Sequence, residues 1–267
     1  MMKELQFSIV KVNKHSHKLN YHLDNLIHNR TLGVYIPKFY SPQECDTIVN
    51  RCFAHGFYWF EENVRGRIGA NLAQFQGIEK GKERYFQAVN QYQPLRDWIF
   101  YETSDPTIHI MKLFESLGSV KIASDKKFNE SYSSGMIHIQ QNATQLHVDR
   151  VWDEAPDWSI SRLTKQFSSV LYLQTPENGG EVAIYNRKWQ KSDIQFNRAD
   201  TATMRRGVTL GLVDEVEKLS FTPRQGDLLL FSSELYHQIK ASTGDKLRIS
   251  AMCFFGINED NELEFFM

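Results

Sequence analysis

Cysteine is scarce. Cys45, Cys52 and Cys253 are the only three in 267 residues, too few and too scattered for a disulfide framework or a zinc knuckle. Reduced, partly buried thiols are expected. An excess of one charge is also missing. Thirty-one Lys and Arg residues against thirty-two Asp and Glu leave a formal charge of −1, without the basic surplus that releases counterions from nucleic acid. Nucleic acid is therefore not expected as a partner. No stretch approaches the roughly 18 uninterrupted apolar residues of a membrane span. The start, Met1-Met2-Lys3-Glu4, carries charge where a secretory signal would need an apolar core. These absences predict a cytoplasmic protein without a membrane partner. Repeats and low-complexity tracts are absent too, which excludes a solenoid or a disordered linker.

A sizeable core is available, since 41% of the residues are hydrophobic and 13% aromatic. Length alone allows one or two domains. In the first thirty residues Leu5, Phe7 and Ile9 alternate as in a short strand, while Leu19, Leu23, Leu26 and Ile27 fall at helical spacing. His15, His17, His22 and His28 lie on the polar sides of these elements and are assigned no chemistry. Residues 1–30 read as an N-terminal extension. Leu32–Ile36 reads as a strand, and Ser41-Pro42-Gln43-Glu44 is a capping box opening a helix to about Phe53. A second helical stretch is expected after Gln93-Pro94. A third should run from Ser104-Asp105-Pro106 to Gly118.

After Gly135 the hydrophobic period changes from helical to two. Met136–Gln141, Phe167–Gln174, Glu181–Tyr185, Val208–Val213, Asp227–Phe231 and Lys246–Phe255 read as short strands between turn signals such as Asn178-Gly179-Gly180 and Thr243-Gly244-Asp245. The fold class expected is mainly β with flanking helices, built on a jelly-roll core, a double-stranded β-helix. Residues 31–267 would form one domain, with helical support over about 31–130 and the jelly roll over about 131–256.

His147-Val148-Asp149 follows the first of these strands. In an extended segment residues two apart share a face, so one imidazole and one carboxylate converge, two-thirds of a facial metal site. The pair alone is weak: His22-Leu23-Asp24 has the same spacing on a helix, where the two side chains diverge. His237, Arg248 and Ser250 strengthen it. A four-residue hairpin loop at Ser242–Asp245 would set Ile239 opposite Arg248 and His237 opposite Ser250, on one face. An arginine buried beside a metal site needs an anion. Arg65, Arg67 and Asn71 read as a polar loop available for substrate contacts, and Trp152, Asp153, Glu154 and Asp157 as either a loop covering the substrate or a solvated acidic loop.

The ordered set His147-x-Asp149, Gly179-Gly180-Glu181, Gly226-Asp227, His237 and Arg248-x-Ser250 resembles the iron(II)- and 2-oxoglutarate-dependent oxygenases, in particular the prolyl-4-hydroxylase-like branch. The resemblance covers roughly residues 130–256 and extends to Tyr35–Cys52. It implies that His147, Asp149 and His237 bind iron(II), and that Arg248, assisted by Ser250, pairs with the distal carboxylate of the cosubstrate 2-oxoglutarate. A guanidinium fork suits a carboxylate because two parallel charge-assisted bonds fix its plane. Where the branch's proline hydroxylases have tyrosine, nine residues before the first ligand, this chain has His138. His138 and Gln140 share a strand face, and both are expected to touch the cosubstrate.

The resemblance further implies use of dioxygen, release of succinate and carbon dioxide, and hydroxylation of an unactivated C–H bond. Related halogenases carry Gly or Ala at the position of Asp149, so a carboxylate here favours oxygenation. The expected substrate is a small molecule, an amino acid or a natural-product intermediate. Hydroxylation of a prolyl or other protein residue is the alternative within the class. A non-catalytic jelly-roll binding module is the alternative outside it.

Overall fold

The computed structural model describes residues 6–61, 64–200, 205–208 and 210–267. The first part of the chain lays down β1 (Gln6–Lys11), α1 (Leu19–Ile27), β2 (Thr31–Ile36), α2 (Pro42–His55), β3 (Tyr58–Glu61), β4 (Arg65–Ile68), α3 (Gly81–Ile99), α4 (Pro106–Phe114) and β5 (Val120–Ile122). There follow β6 (Met136–Gln140), α5 (Val151–Glu154), β7 (Lys165–Gln174), β8 (Val182–Lys188), β9 (Lys218–Phe221), β10 (Leu228–Ser232), β11 (Leu235–Ile239), β12 (Arg248–Ile257) and β13 (Leu263–Phe266). No helix among the described residues is long and apolar enough to cross a membrane.

Two sheets make the jelly roll. The major sheet runs β1-β2-β10-β7-β12-β6-β4-β3, with β13 against β12 and β5 beyond it, and the minor sheet runs β9-β8-β11. Strand alternation divides the major sheet's side chains between two compartments. Ile137, Ile139, Phe167, Leu171, Ile249 and Phe255 point to the helical side and join one core cluster with Leu23, Ile48 and Phe114. Each such side chain, fully buried, contributes about 1.5–3 kcal/mol. The alternate residues Val170, Tyr172, Leu229 and Phe231 face the minor sheet and pack with Val182 and Ile184. The unbroken apolar run of β10 follows from this, because the strand is covered on both faces.

The helices behave largely as their sequences dictate. Ser41 caps α2 by accepting from the Glu44 amide while the Glu44 carboxylate accepts from the Ser41 amide, and Pro42 takes the first helical position. Asp105 caps α4 through the amides of Thr107 and Ile108. The helix expected to start after Gln93-Pro94 starts earlier: α3 runs through the proline from Gly81 to Ile99. Tyr85, Phe86, Val89, Tyr92 and Arg96 are buried along one face of α3, and that packing outweighs the lost backbone bond and ring clash of an interior proline.

Within the N-terminal extension, β1 pairs in parallel with β2 and α1 buries Leu19, Leu23, Leu26 and Ile27. Leu5 itself lies outside the described residues. Two other expectations need correction. The strand expected at Val208–Val213 is replaced by a 3-10 turn at Leu210–Leu212, and a strand at Arg205–Val208 pairs with Asn197–Asp200. The hairpin at Ser242–Asp245 does not form. β11 pairs with β8, placing His237 beside Ile184, whereas β12 pairs with β6 and β7, placing Ser250 beside His138 and Tyr172. Ser242-Thr243 pairs instead with Asn178-Gly179, as the chain crosses between sheets. Gly179, at φ +79°, sits so close that a β-carbon would lie 2.1 Å from the Ala241 carbonyl.

Candidate active site

The space between the two sheets holds the sequence's candidate residues. His147 forms an isolated antiparallel bridge with His237, each donating its amide to the other's carbonyl at 3.0 and 2.8 Å. The Asp149 amide donates to the Ser233 carbonyl at 2.9 Å, so the His147–Asp149 segment extends the edge of the minor sheet. The ligand-type atoms of His147, Asp149 and His237 all lie within 4.8 Å of one another. His237 Nε2 is 3.2 Å and His147 Nε2 3.9 Å from the Asp149 carboxylate.

Backbone carbonyls fix both imidazoles. His147 Nδ1 lies 2.7 Å from the Gln145 carbonyl and His237 Nδ1 2.8 Å from the Leu235 carbonyl. A carbonyl only accepts, so each Nδ1 carries a proton, and each Nε2 is the atom turned toward the centre of the cluster. Burial and the neighbouring His237 push the His147 imidazole down to about 4, against the pull of Asp149. Burial opposes ionisation of Asp149, yet the two imidazoles hold its carboxyl below the usual carboxylate range. Two imidazoles and one carboxylate are the donor set that a divalent first-row metal takes in a facial site with open positions.

Next to this cluster lies Arg248, 2% exposed. Its guanidinium stands 5.1 Å from the centre of the Tyr172 ring and donates through Nη1 to Ser250 Oγ at 3.3 Å. Arg248 Nε, Gln140 Oε1 and the Tyr172 hydroxyl are buried without a hydrogen-bond partner. Such groups cost about 1–3 kcal/mol each when left unsatisfied, more when charged, and the two that donate, Arg248 Nε and the Tyr172 hydroxyl, fit this end of the space to a buried anion, whereas Gln140 Oε1 only accepts. Burial raises the Tyr172 phenol above its ordinary range, which keeps it a neutral donor.

His138 lies beside Ser250 across β6 and β12. Its Nε2 sits 3.4 Å from Arg65 Nε, and the Phe60 ring stacks at 6.2 Å and 11°. Because Arg only donates, Nε2 is the accepting nitrogen of a neutral ring. Burial, then Arg65, Arg248 and Arg67, hold its pKa well below the ordinary histidine value.

One cavity of about 200 Å³ joins these groups, touching His138, Gln140, His147, Asp149, His237 and Arg248. Its far end is apolar, walled by Met136, Met252, Phe254, Phe266 and Met267. The seven residues singled out from the sequence are thus brought together, although Arg248 and His237 meet across the gap between sheets and not across a hairpin. Arg65 and Arg67 lie in β4 and not in a loop. The segment after Asp149 forms the helical turn α5, which puts Val151 and Glu154 on the cavity wall. Tyr172 was not picked out: within Val170-Leu171-Tyr172-Leu173 it looks like any half of an apolar run. The apolar wall was legible, because the alternation of Arg248-x-Ser250 continues to Met252 and Phe254.

Comparison with known proteins agrees with this geometry. A leucinostatins biosynthesis cluster protein S from Purpureocillium lilacinum is 23% identical over 187 residues, 68% of this chain and 76% of that protein. An L-gamma-glutamyl-L-propargylglycine hydroxylase from Streptantibioticus cattleyicolor is 21% identical over 250 residues, 91% of this chain and 90% of that protein. Among solved structures, an N-substituted L-amino acid dioxygenase from Burkholderia ambifaria superposes with a TM-score of 0.66 at 15% identity, covering 93% of this chain and 91% of that one. At that identity it shows the shared fold. The family model described as carrier-protein-independent halogenase WelO5 matches residues 2–267, and the chain belongs to the WelO5 family.

Proposed function

We propose that this protein is an iron(II)- and 2-oxoglutarate-dependent dioxygenase that hydroxylates an unactivated C–H bond of a small molecule in the cytoplasm. His147, Asp149 and His237 hold the iron, and Arg248 binds the distal carboxylate of 2-oxoglutarate. Bound iron supplies dioxygen activation coupled to oxidative decarboxylation of the cosubstrate, with release of succinate and carbon dioxide. The protein's part is positional. Gln145 and Leu235 fix the imidazoles through their carbonyls, while Ser250, Tyr172, Gln140 and His138 complete the walls around the cosubstrate. The sheets and the apolar end exclude bulk water.

The observation that carries this reading is the buried guanidinium of Arg248, with an unpartnered Nε, opening on the cavity that also holds the His-Asp-His cluster. Halogenation is the second reading, raised by the name of the family. It requires a vacant iron position for halide, and Asp149 occupies that place in the cluster. Hydroxylation is therefore favoured, and the homologous dipeptide hydroxylase supports a substrate derived from an amino acid. A cavity of about 200 Å³ suits a small molecule better than a folded protein surface.

Purified protein given iron(II), ascorbate and 2-oxoglutarate is expected to form succinate slowly, and faster when a substrate is present. Failure both to bind 2-oxoglutarate without oxygen and to form succinate removes the enzyme reading and leaves a jelly-roll binding module.

A further inference from the structure

The cavity changes character along its own strands. Residues two apart on a strand share a face and are spaced by about 6.6 Å, so β12 presents Arg248, Ser250, Met252 and Phe254 in sequence, and β6 presents Gln140, His138 and Met136. The polar end takes the cosubstrate under the oxygenase reading. The thioether and phenyl end remains for the substrate.

At that apolar end the wall carries an oriented donor. Asn71 precedes the 3-10 turn Leu72–Gln74, and its Oδ1 accepts from the Ala73 amide at 2.8 Å. An amide N–H only donates, so this contact assigns Oδ1 and turns Nδ2 the other way. Nδ2 lies 3.8 Å from the sulfur of Met136, and both residues line the cavity. A thioether is a weak acceptor. The amide group is thus held in orientation by the backbone, with its best donor spent on a poor partner that a ligand oxygen can replace.

We propose that Asn71 is a substrate-positioning residue that donates to a carbonyl oxygen, and that the substrate is an acylated small molecule whose apolar arm rests on Met136, Met252 and Phe254. The inference rests on the oxygenase reading. Losing a neutral hydrogen bond costs about two- to tenfold in affinity, and a site built to make one rejects an analogue that lacks the partner more strongly than a methylene is rejected.

The test uses matched probes: N-acetyl-L-leucine and N-acetyl-L-phenylalanine, and the corresponding N-thioacetyl amino acids, which keep the length and the neutral nitrogen but replace the carbonyl oxygen with a poor acceptor. Stimulation of succinate formation is measured for each. Wild-type protein is expected to prefer at least one acetyl compound over its thioacetyl partner by about tenfold in kcat/KM, mainly through KM. Asn71→Asp keeps the oxygen that caps Ala73 but replaces the donor with a second acceptor, so the preference should collapse to about twofold or less. The wild-type comparison reads the same contact without any variant. Protein that turns over 2-oxoglutarate yet shows no acetyl preference, or keeps it in Asn71→Asp, overturns the inference and leaves the oxygenase reading standing. Absence of both 2-oxoglutarate binding and succinate overturns the reading beneath it.

Discussion

Both imidazoles of the His-Asp-His cluster have one nitrogen committed to a backbone carbonyl, so their Nε2 atoms are aimed by main chain that no side-chain substitution removes. Asp149 supplies the carboxylate of the cluster. Replacing it with glycine is expected to abolish hydroxylation, measured as hydroxylated product per succinate; full retained activity would take Asp149 out of the iron site. Arg248 carries the other decisive charge. Arg248→Ala removes charge-assisted hydrogen bonds worth about 1.5–3 kcal/mol each, so 2-oxoglutarate affinity should fall about 100-fold in anaerobic binding. Arg248→Lys should recover part of that loss, since a point charge replaces a planar fork. Unchanged binding in Arg248→Ala would assign the anion to another group.

At the scale of elements, single glycines and caps set the strand and helix entries that hold the site. Gly226 has φ +83°, and a β-carbon there would sit 2.2 Å from the Tyr40 carbonyl. Gly226→Ala should therefore cost about 2–3 kcal/mol in denaturant unfolding, and Ser41→Ala about 1 kcal/mol through loss of the α2 cap. These local features were legible in the sequence because capping boxes and Gly-Asp turns act over a few residues. So was the convergence of His147 with Asp149 and of Arg248 with Ser250, which needs only strand alternation. Which strand pairs with which was not legible. His237 was placed against Ser250 through a hairpin because a short turn is the simplest link, whereas the chain crosses to the opposite sheet, a long-range choice that local turn chemistry does not encode. Pro94 misled for the same reason. Its cost is local, and the packing of Tyr85, Phe86 and Tyr92 that overrides it comes from the rest of the molecule.

For the whole molecule, the major sheet serves as a partition, with α1, α2 and α4 packed on one side and the cavity, walled in part by α5, on the other. Helix α1 belongs to the first of these sides, whereas Phe7 and Ile9 of β1 pack on the minor-sheet side. Burial of Leu19, Leu23, Leu26 and Ile27 is worth about 6–12 kcal/mol at ordinary values, comparable with the stability of an entire domain. A chain starting at Thr31 is expected to be unfolded; a cooperative, wild-type-like thermal transition would show that the segment is dispensable. The three cysteines are buried. Burial pushes Cys45 and Cys52 up to about 12 and Cys253 to about 11, so the thiolate is scarce at neutral pH. Native protein should resist a thiol-specific disulfide reagent, and all three thiols should react after denaturation. The most direct test of the central claim is anaerobic addition of 2-oxoglutarate to iron(II)-loaded protein, followed by visible absorption. A new band is expected in the wild type, at higher 2-oxoglutarate in Arg248→Ala, and not at all in His237→Ala; no band in the wild type, or the same titration in all three, would contradict it.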